Sequence, residues 1–474
     1  MPFIITLPTT SHVNLTASHS SATHPSLPLA ATHHRSALRL ALKQHKRLPP
    51  TSRPSHLPTV LSAIEGYLPY LLALEEGLSG RPVAGEEILI TLHNEPRIQW
   101  RDPLAPQYNP NPTTPRRIKG LGLDLDLIFT LTTLALSYTA LSAAIFISSS
   151  SSDSIFQTST KHLLTAASIH THISTLLTTS PFPKYIQTPS VIPTIHAALS
   201  SLALAVSTLF AVAQSDPYPA SIIADLSPDD TSYLSSPPEI PKVRALLFVR
   251  LCIAASEHAA KAVSLLADIK GVDEGIRKYA TQVRSLSRAR AARMLGVDAE
   301  RGGKMGEAIG WLDVALNELG ATSFSHEKSS GPGGNGKGFS RLKEKMGRSS
   351  SSSKVPQSTS STPSSTPDPT SKATELLVLR TLHSRWVKIN DSVNTSPITP
   401  ISNLLPLIPS GREIHTLKKW QVPELPEDEV SRMRAPVDPG EDVDAAADSS
   451  DEEDEDGRGM AGAFPDEGEG RAYY

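Results

Sequence analysis

Residues 125–147 read LDLIFTLTTLALSYTALSAAIFI. From Leu127 to Ile147 the stretch carries no charge, and an uncharged run of about 20 residues meets the length criterion for a membrane span. A second run, Ile192 to Gln214, is uncharged apart from His196. Two architectures compete for these runs. One is a multi-pass membrane protein that uses 127–147 and 192–214 as spans. The other is a large soluble helical domain with both runs as central helices, since a helix surrounded by neighbours is apolar all round. Both runs are dense in Ser, Thr and Ala, and no Trp belt brackets them. The soluble domain is the better reading.

The flanking sequence is helical in the same way. STKHLLTAASIHTHISTLL (159–177), IPKVRALLFVRLCIAASEHAAKAVSLLADI (240–269), GVDEGIRKYATQVRSLSRARAARMLG (271–296) and KMGEAIGWLDVALNELG (304–320) are separated by Pro clusters or Gly and Asp breaks. Ile309, Leu312, Leu316 and Leu319 form one amphipathic stripe, and Gly320 supplies the stop. Long helices joined by short breaks predict antiparallel stacking in a bundle or solenoid. No exact short repeat is visible.

Upstream, 34–48 and 61–79 read as helices, and EILITL (87–92) and RIQW (97–100) read as a hairpin across the turn signal His93 to Pro96. The start, MPFIITLPTTSHVNL, has no basic leader and is a poor signal peptide. Between about 322 and 372 the chain is rich in Gly, Ser and Pro and predicts a disordered insertion, because such sequence cannot bury enough apolar surface. Helical pattern returns in TELLVLRTLHSRWVKIN (374–390), so the insertion interrupts one domain. Residues 426–474 predict an acidic, extended tail of like charges, which either binds a basic partner or solubilises the chain. The formal net charge of −3 argues against a general nucleic-acid binder.

Motifs with chemical potential are weak. GPGGNGK (331–337) imitates a phosphate loop, but Gly338 stands where Ser or Thr must reach magnesium, and no strand precedes it. His162, His170 and His172 are close in sequence, yet no carboxylate or cysteine completes a metal set, and packing histidines are expected. His258 lies on an apolar stripe and reads as a core or groove histidine. Cys252 is the one cysteine and reads as a small buried hydrophobe in a reducing compartment. Arg277, Arg284 and Arg288 share a helix face that is either solvated or docks an acidic partner or anionic lipid. No triad, paired carboxylates or dinucleotide fingerprint stands out, so neither catalysis nor a cofactor or metal is expected. A helical enzyme with an unrecognised site is the third alternative. Thr362-Pro363 and Thr366-Pro367 are candidate phosphorylation sites.

The order of features resembles the BRO-type (ALIX-like) domain family. The resemblance is carried by the Leu-Pro-Thr start, IQWRDPL (98–104) and DLIFTLTTLALSYTAL (126–141). It continues through Gly306, Glu307, Ile309, Leu312 and Ala315, and through Asn390, Asp391, Val393 and Pro397. It spans about residues 1–425, and IITLPTT (4–10), residues 24–50 and GYLPYLLALEEGL (66–78) resemble the family's fungal pH-response branch. Departures are Thr130 after Phe129, where the family often has Asn, the long Ser-rich insertion, and an acidic tail instead of a coiled V-shaped region and proline-rich tail.

The resemblance implies an all-α, boomerang-shaped, tetratricopeptide-like solenoid with a small N-terminal β-hairpin. It implies a non-catalytic cytoplasmic scaffold whose apolar groove binds the C-terminal helix of the polymerising ESCRT-III subunit. That subunit would be recruited to cortical plasma-membrane or endosomal sites holding the alkaline-pH sensor complex, leading to proteolytic activation of a transcription factor. Helix-in-groove recognition needs spaced apolar anchors and a polar rim. The candidate anchors are Leu136, Leu141, Ile145, Ile309, Leu312 and Leu316, and the candidate rim residues are Arg284 and Arg288.

Overall fold

The computed structural model describes residues 2–106, 117–148, 153–180, 182, 186, 188–225, 242–321 and 371–435. The chain enters as an extended segment and forms α1 (Leu27–Arg47) and α2 (Arg53–Leu78), each opened by a proline at its first positions. Four short strands follow or precede these helices: β1 (His19–Ser21), β2 (Ile90–Leu92), β3 (Arg97–Arg101) and β4 (Arg117–Leu121). Then come α3 (Leu123–Ser148), α4 (Asp153–Thr179), α5 (Pro193–Ser215), α6 (Tyr218–Asp225), α7 (Lys242–Ala267), α8 (Glu274–Arg301) and α9 (Met305–Glu318). The described chain closes with α10 (Lys372–Ile389), α11 (Ile401–Leu404) and α12 (Glu427–Met433).

Each long helix packs mainly on its sequence neighbours, so the expected stacking is present. The direction is antiparallel: Ser142 meets Ser159, Thr171 meets Ser200 and Ser174 meets Pro193 across successive helix pairs. Apolar burial is split into one core around α1–α3, a second around α5 and α7–α10, and a smaller third between α5, α7 and α8. The turn after α9 is made by Gly320 at φ 68°, as its position in the sequence predicts.

The two uncharged runs lie in the middle of this stack. The apolar window of α3 is 78% buried against protein and that of α5 is 83%. Their neighbours in the fold are other helices, and a helix surrounded by neighbours is apolar all round. A third helix, α2, is also long and apolar enough to span a membrane, and it too packs into the first core.

The hairpin expectation needs correction. Both strands form, but they do not pair with each other. β2 pairs antiparallel with β1, and β3 pairs antiparallel with β4. The cause is the side chains of β3. Ile98 and Trp100 are fully buried and must face α3, whereas β2 is exposed and has nothing to bury them. The Pro96 carbonyl accepts from Gly122 N–H at 3.3 Å, which ties the turn to the end of β4.

The tail boundary also moves. α12 lies inside the stretch expected to be extended and acidic. Its Val430 and Met433 are buried in the first core, and the Tyr70 hydroxyl donates to Glu429 at 2.5 Å. Two apolar side chains, three residues apart and buried in the first core, outweigh the local charge density. Most of the expected insertion and the rest of the tail, with the phosphate-loop imitation and both Thr-Pro pairs, lie outside the described residues.

Candidate functional site

Asp126 opens the long helix α3 and is wholly buried. It accepts from Arg35 Nε at 2.9 Å and Nη2 at 3.0 Å, from the Tyr67 hydroxyl at 2.6 Å and from Trp100 Nε1 at 2.6 Å. One carboxylate therefore joins α1, α2, β3 and α3. Arg35 also donates to Ser11 O and Thr10 Oγ1, which fixes the entering segment. Two residues past Trp100, Asp102 accepts from Ser190 N–H at 3.1 Å and Ser190 Oγ at 2.6 Å, and also from Thr188 Oγ1. That contact sets the turn that launches α5.

Between α3, α4, α5 and α8 lies a small apolar cleft. Leu136, Leu163, Leu202, Val206 and Ile276 line it, and Pro2, Phe3 and Ile5 of the entering segment close one side. The Phe3 ring sits 5.3 Å from that of Tyr279. His170 reaches this cleft and is paired, Nδ1 to Nδ1 at 3.1 Å, with His196 of α5. The tautomers follow from the partners. His196 Nε2 lies 2.9 Å from Ser190 O and must donate, so His196 Nδ1 accepts and His170 Nδ1 carries the proton. Burial pulls His196 down to about 4 and His170 well below its usual value, so both rings are neutral near pH 7.

A second buried network holds the far end. Glu375 of α10 accepts from Arg290 Nε at 3.1 Å and from Arg293 Nε at 2.5 Å, while Arg293 Nη2 also meets Asp216 at 2.5 Å. This clamps α10 onto α8, so the helix returning after the expected insertion packs into the second core. The same core holds Cys252, whose thiol is pushed up to about 12 by burial. It is a packing residue and no nucleophile.

The expected anchors divide. Ile309 and Leu312 are fully buried, Leu316 is 4% exposed, and all three pack in the second core. Leu136 is 3% exposed and lines the cleft from α3. These four serve packing in this structure, because a regular amphipathic stripe marks burial without telling core from groove. Leu141 and Ile145 remain half-exposed. Arg284 is exposed, and Arg288 forms an ion pair with Glu318 of α9 at 2.6 Å. The expected histidine trio separates: His162 stacks on Tyr138, His172 lies by Trp420, and His170 pairs with His196. His258 is half-buried beside Glu413 at 3.5 Å. Among the described residues no cluster of three or more His, Cys, Asp or Glu is arranged to hold a metal.

No family model matches the chain. A curated protein does: the pH-response regulator protein palC of Emericella nidulans is 36% identical over 515 residues, covering 100% of both chains. The chain belongs to the PalC family. The chain is a PalC-like pH-response regulator. The fold agrees. The ALIX BRO1 domain in its CHMP4C complex matches with a TM-score of 0.52 at 12% identity, covering 90% of this chain and 96% of that one. ALIX in complex with the SIVmac239 PYKEVTEDL late domain also matches at a TM-score of 0.52 and 12% identity, covering 89% of this chain. This PalC relative spans 49% of that longer ALIX chain. The segments that carried the family resemblance now have physical roles. Trp100 and Asp126 bond to each other, and Asp102 anchors the turn before α5. Gly306 lies against Pro397, and Thr399 N–H donates to Gly306 O at 3.2 Å.

The sequence alone did not single out the Asp126 network. Its signal was the Leu-Asp-Leu-Asp step, Leu123 to Asp126, at the head of an apolar helix, with a Trp upstream in an alternating strand.

Proposed function

We propose that this protein is a scaffold of the fungal alkaline-pH pathway that binds a polymerising ESCRT-III subunit and brings it to membrane sites holding the pH-sensor complex. The observation that carries the reading is the end-to-end relation to palC of Emericella nidulans. The shared fold with the ALIX BRO1 domain, whose structure is a CHMP4C complex, supports a helical ESCRT-III segment as the partner. On this reading the protein performs no chemistry. It offers a preformed helical surface to an amphipathic helix and so raises the subunit's local concentration. Proteolytic activation of the pathway's transcription factor follows from assembly elsewhere. On this reading the protein works in the cytoplasm and at cortical or endosomal membranes.

Leu141 and Ile145 are the candidate anchors that retain exposure, with Arg284 as a rim residue. The test is binding of the full chain to the isolated C-terminal helix of the organism's own polymerising ESCRT-III subunit. Saturable binding is expected, weakened at least about tenfold by L141E/I145E, as for loss of a desolvated apolar anchor pair. The helical circular-dichroism signal and melt must be retained. No binding by the wild-type chain sinks the function. Binding that L141E/I145E leaves unchanged sinks the site alone.

A further inference from the structure

At the head of α3 the last turns of α2 and α4 and the strands β1 and β2 surround a cavity of about 580 Å³. That size falls within the range of small-molecule sites. Leu78, Leu92, Leu123, Leu127 and Leu177 give it apolar walls. Glu75, Glu95 and Asp124 bring three carboxyl groups to it, against one guanidinium, that of Arg81. Glu95, Asp124 and Arg81 are exposed. On their own they would be an ordinary charged surface.

Two buried atoms set this cavity apart. His19 lines it and is 1% exposed. The Ser18 hydroxyl donates to Leu15 O at 3.1 Å, so it accepts from His19 Nδ1 at 2.8 Å. Burial lowers the histidine and keeps its ring neutral, which leaves the single ring proton on Nδ1. His19 Nε2 is then a lone pair that receives no hydrogen bond. Glu75 Oε2 is a second buried acceptor without a donor. Burial first, then repulsion from Asp124, holds the Glu75 carboxyl up to about 7; Glu76 adds to the rise, and Arg81 opposes it without cancelling it. A buried acceptor left open costs more than an ordinary missing bond. Both atoms need N–H donors, and the wall they share is negative, so an anion is repelled. A metal ion is not served either: among the described residues no three His, Cys, Asp or Glu are arranged to hold one. Positive charge, several N–H donors and an apolar stem come together in an organic ammonium ion.

We propose that the cavity at the head of α3 binds an alkylammonium ion, with its N–H groups on His19 Nε2 and Glu75 and its stem against the leucines. A lysine side chain of a partner protein and a free aliphatic amine carry the same chemistry. Asp124 and Glu95 draw the cation in from solvent. An ionised Glu75 destabilises the free protein, and the bound cation removes that cost. Asp124 and Leu141 are separated by about 25 Å of helix at about 1.5 Å per residue. The cavity is therefore distinct from the anchors assigned to the ESCRT-III helix.

The experiment is calorimetric titration of the full chain at about pH 8, where Glu75 is ionised, with pentylamine, with N-acetyl-lysine amide and with pentanol as the uncharged control. Saturable binding of an amine is expected, at least about tenfold tighter than that of pentanol. The tighter of the two amines names the source: acetyl-lysine amide a partner's lysine, pentylamine a free amine. Glu75→Gln loses at least about tenfold in affinity, while its melting temperature at this pH rises above that of the wild type. The opposite signs separate binding from structure, since a merely structural carboxyl group would move stability alone. Glu75→Gln binds the ESCRT-III helix as the wild type does. Failure of both amines to bind at about 10 mM overturns the proposal. Pentanol binding as tightly as the amines overturns it as well, and so does an unchanged amine affinity in Glu75→Gln.

Discussion

Trp100 donates its indole N–H to Asp126 at 2.6 Å. Both residues are wholly buried, and they lie on different elements, β3 and the head of α3. The bond is one of four that the carboxylate accepts, the others coming from Arg35 and Tyr67. An ionised group without water is tolerable only when paired and fully hydrogen-bonded. Asp126 meets both conditions, and so its position fixes how the strand, the first two helices and the long central helix meet.

Removing the charge while keeping the shape should therefore hurt far more than removing one donor. Asp126→Asn leaves the Arg35 guanidinium buried without a counter-charge, a loss of about 3–5 kcal/mol. Trp100→Phe removes one of four donors and costs about 1–2 kcal/mol. Urea melts of the two variants check the order. A Trp100→Phe loss equal to that of Asp126→Asn would show that packing of the indole, not the carboxylate network, organises this corner.

The helical class was legible because its cause is local. Apolar periodicity, proline starts and glycine stops act within a few residues, and α3, α5, α8 and α9 appear where those signals lie. Strand pairing was not legible, because β3 chooses β4 over β2 through what Ile98 and Trp100 must bury, and that partner is distant in sequence. Which apolar stripe stays accessible was not legible for a related reason. Ile309, Leu312 and Leu316 form a perfect stripe, but a stripe facing a core and a stripe facing a groove are identical until the neighbours are known. Val430 and Met433 escaped notice because two apolar residues in an acidic run carry no periodic signal.

Gly306 shows the opposite case, a residue whose identity is read once the partner is seen. A Cβ at this position would collide with the carbonyl oxygen of Pro397, in the segment that crosses α9. Gly306→Ala must push that segment away and disturb the bond from Thr399 N–H to Gly306 O. Overpacking of this kind costs about 1–3 kcal/mol. Limited proteolysis should cut the 395–410 region faster in the variant than in the wild type, with α8 and α9 still protected. Identical cleavage kinetics would mean that the segment is not held by this contact.

Thr130 is a departure from the family pattern and is also a structural flaw. It is fully buried in α3, and its hydroxyl has no partner. Thr130→Val keeps the branched shape and deletes the unsatisfied group, so it should stabilise the protein by about 1 kcal/mol. Thermal melts read this directly. A lower melting temperature for Thr130→Val would show that the hydroxyl is satisfied after all, by water or by its own helix.

Two kinds of buried titratable group pull the stability profile in opposite directions. Burial lowers His196 and His45 to about 4, below the ordinary histidine value of 6.5. The folded state then holds fewer protons than the unfolded one between these limits, so their contribution is full above about 6.5 and is lost as pH falls toward 4. Glu75 behaves in the reverse sense. Burial first, then repulsion from Asp124, raises it from 4.5 to about 7, and its Oε2 has no hydrogen-bond partner. Here the folded state holds more protons, so stability is full below 4.5 and declines as pH rises through 7. Glu75→Gln fixes the neutral form. It should be worth about 3 kcal/mol at pH 8 and only a few tenths at pH 4.5. Urea melts of both proteins at about pH 4.5, 6 and 8 separate the two groups: the variant keeps the acid limb set by the histidines and loses the alkaline one. A gain of the same size at every pH would place the benefit in packing and remove Glu75 as the source of the alkaline decline.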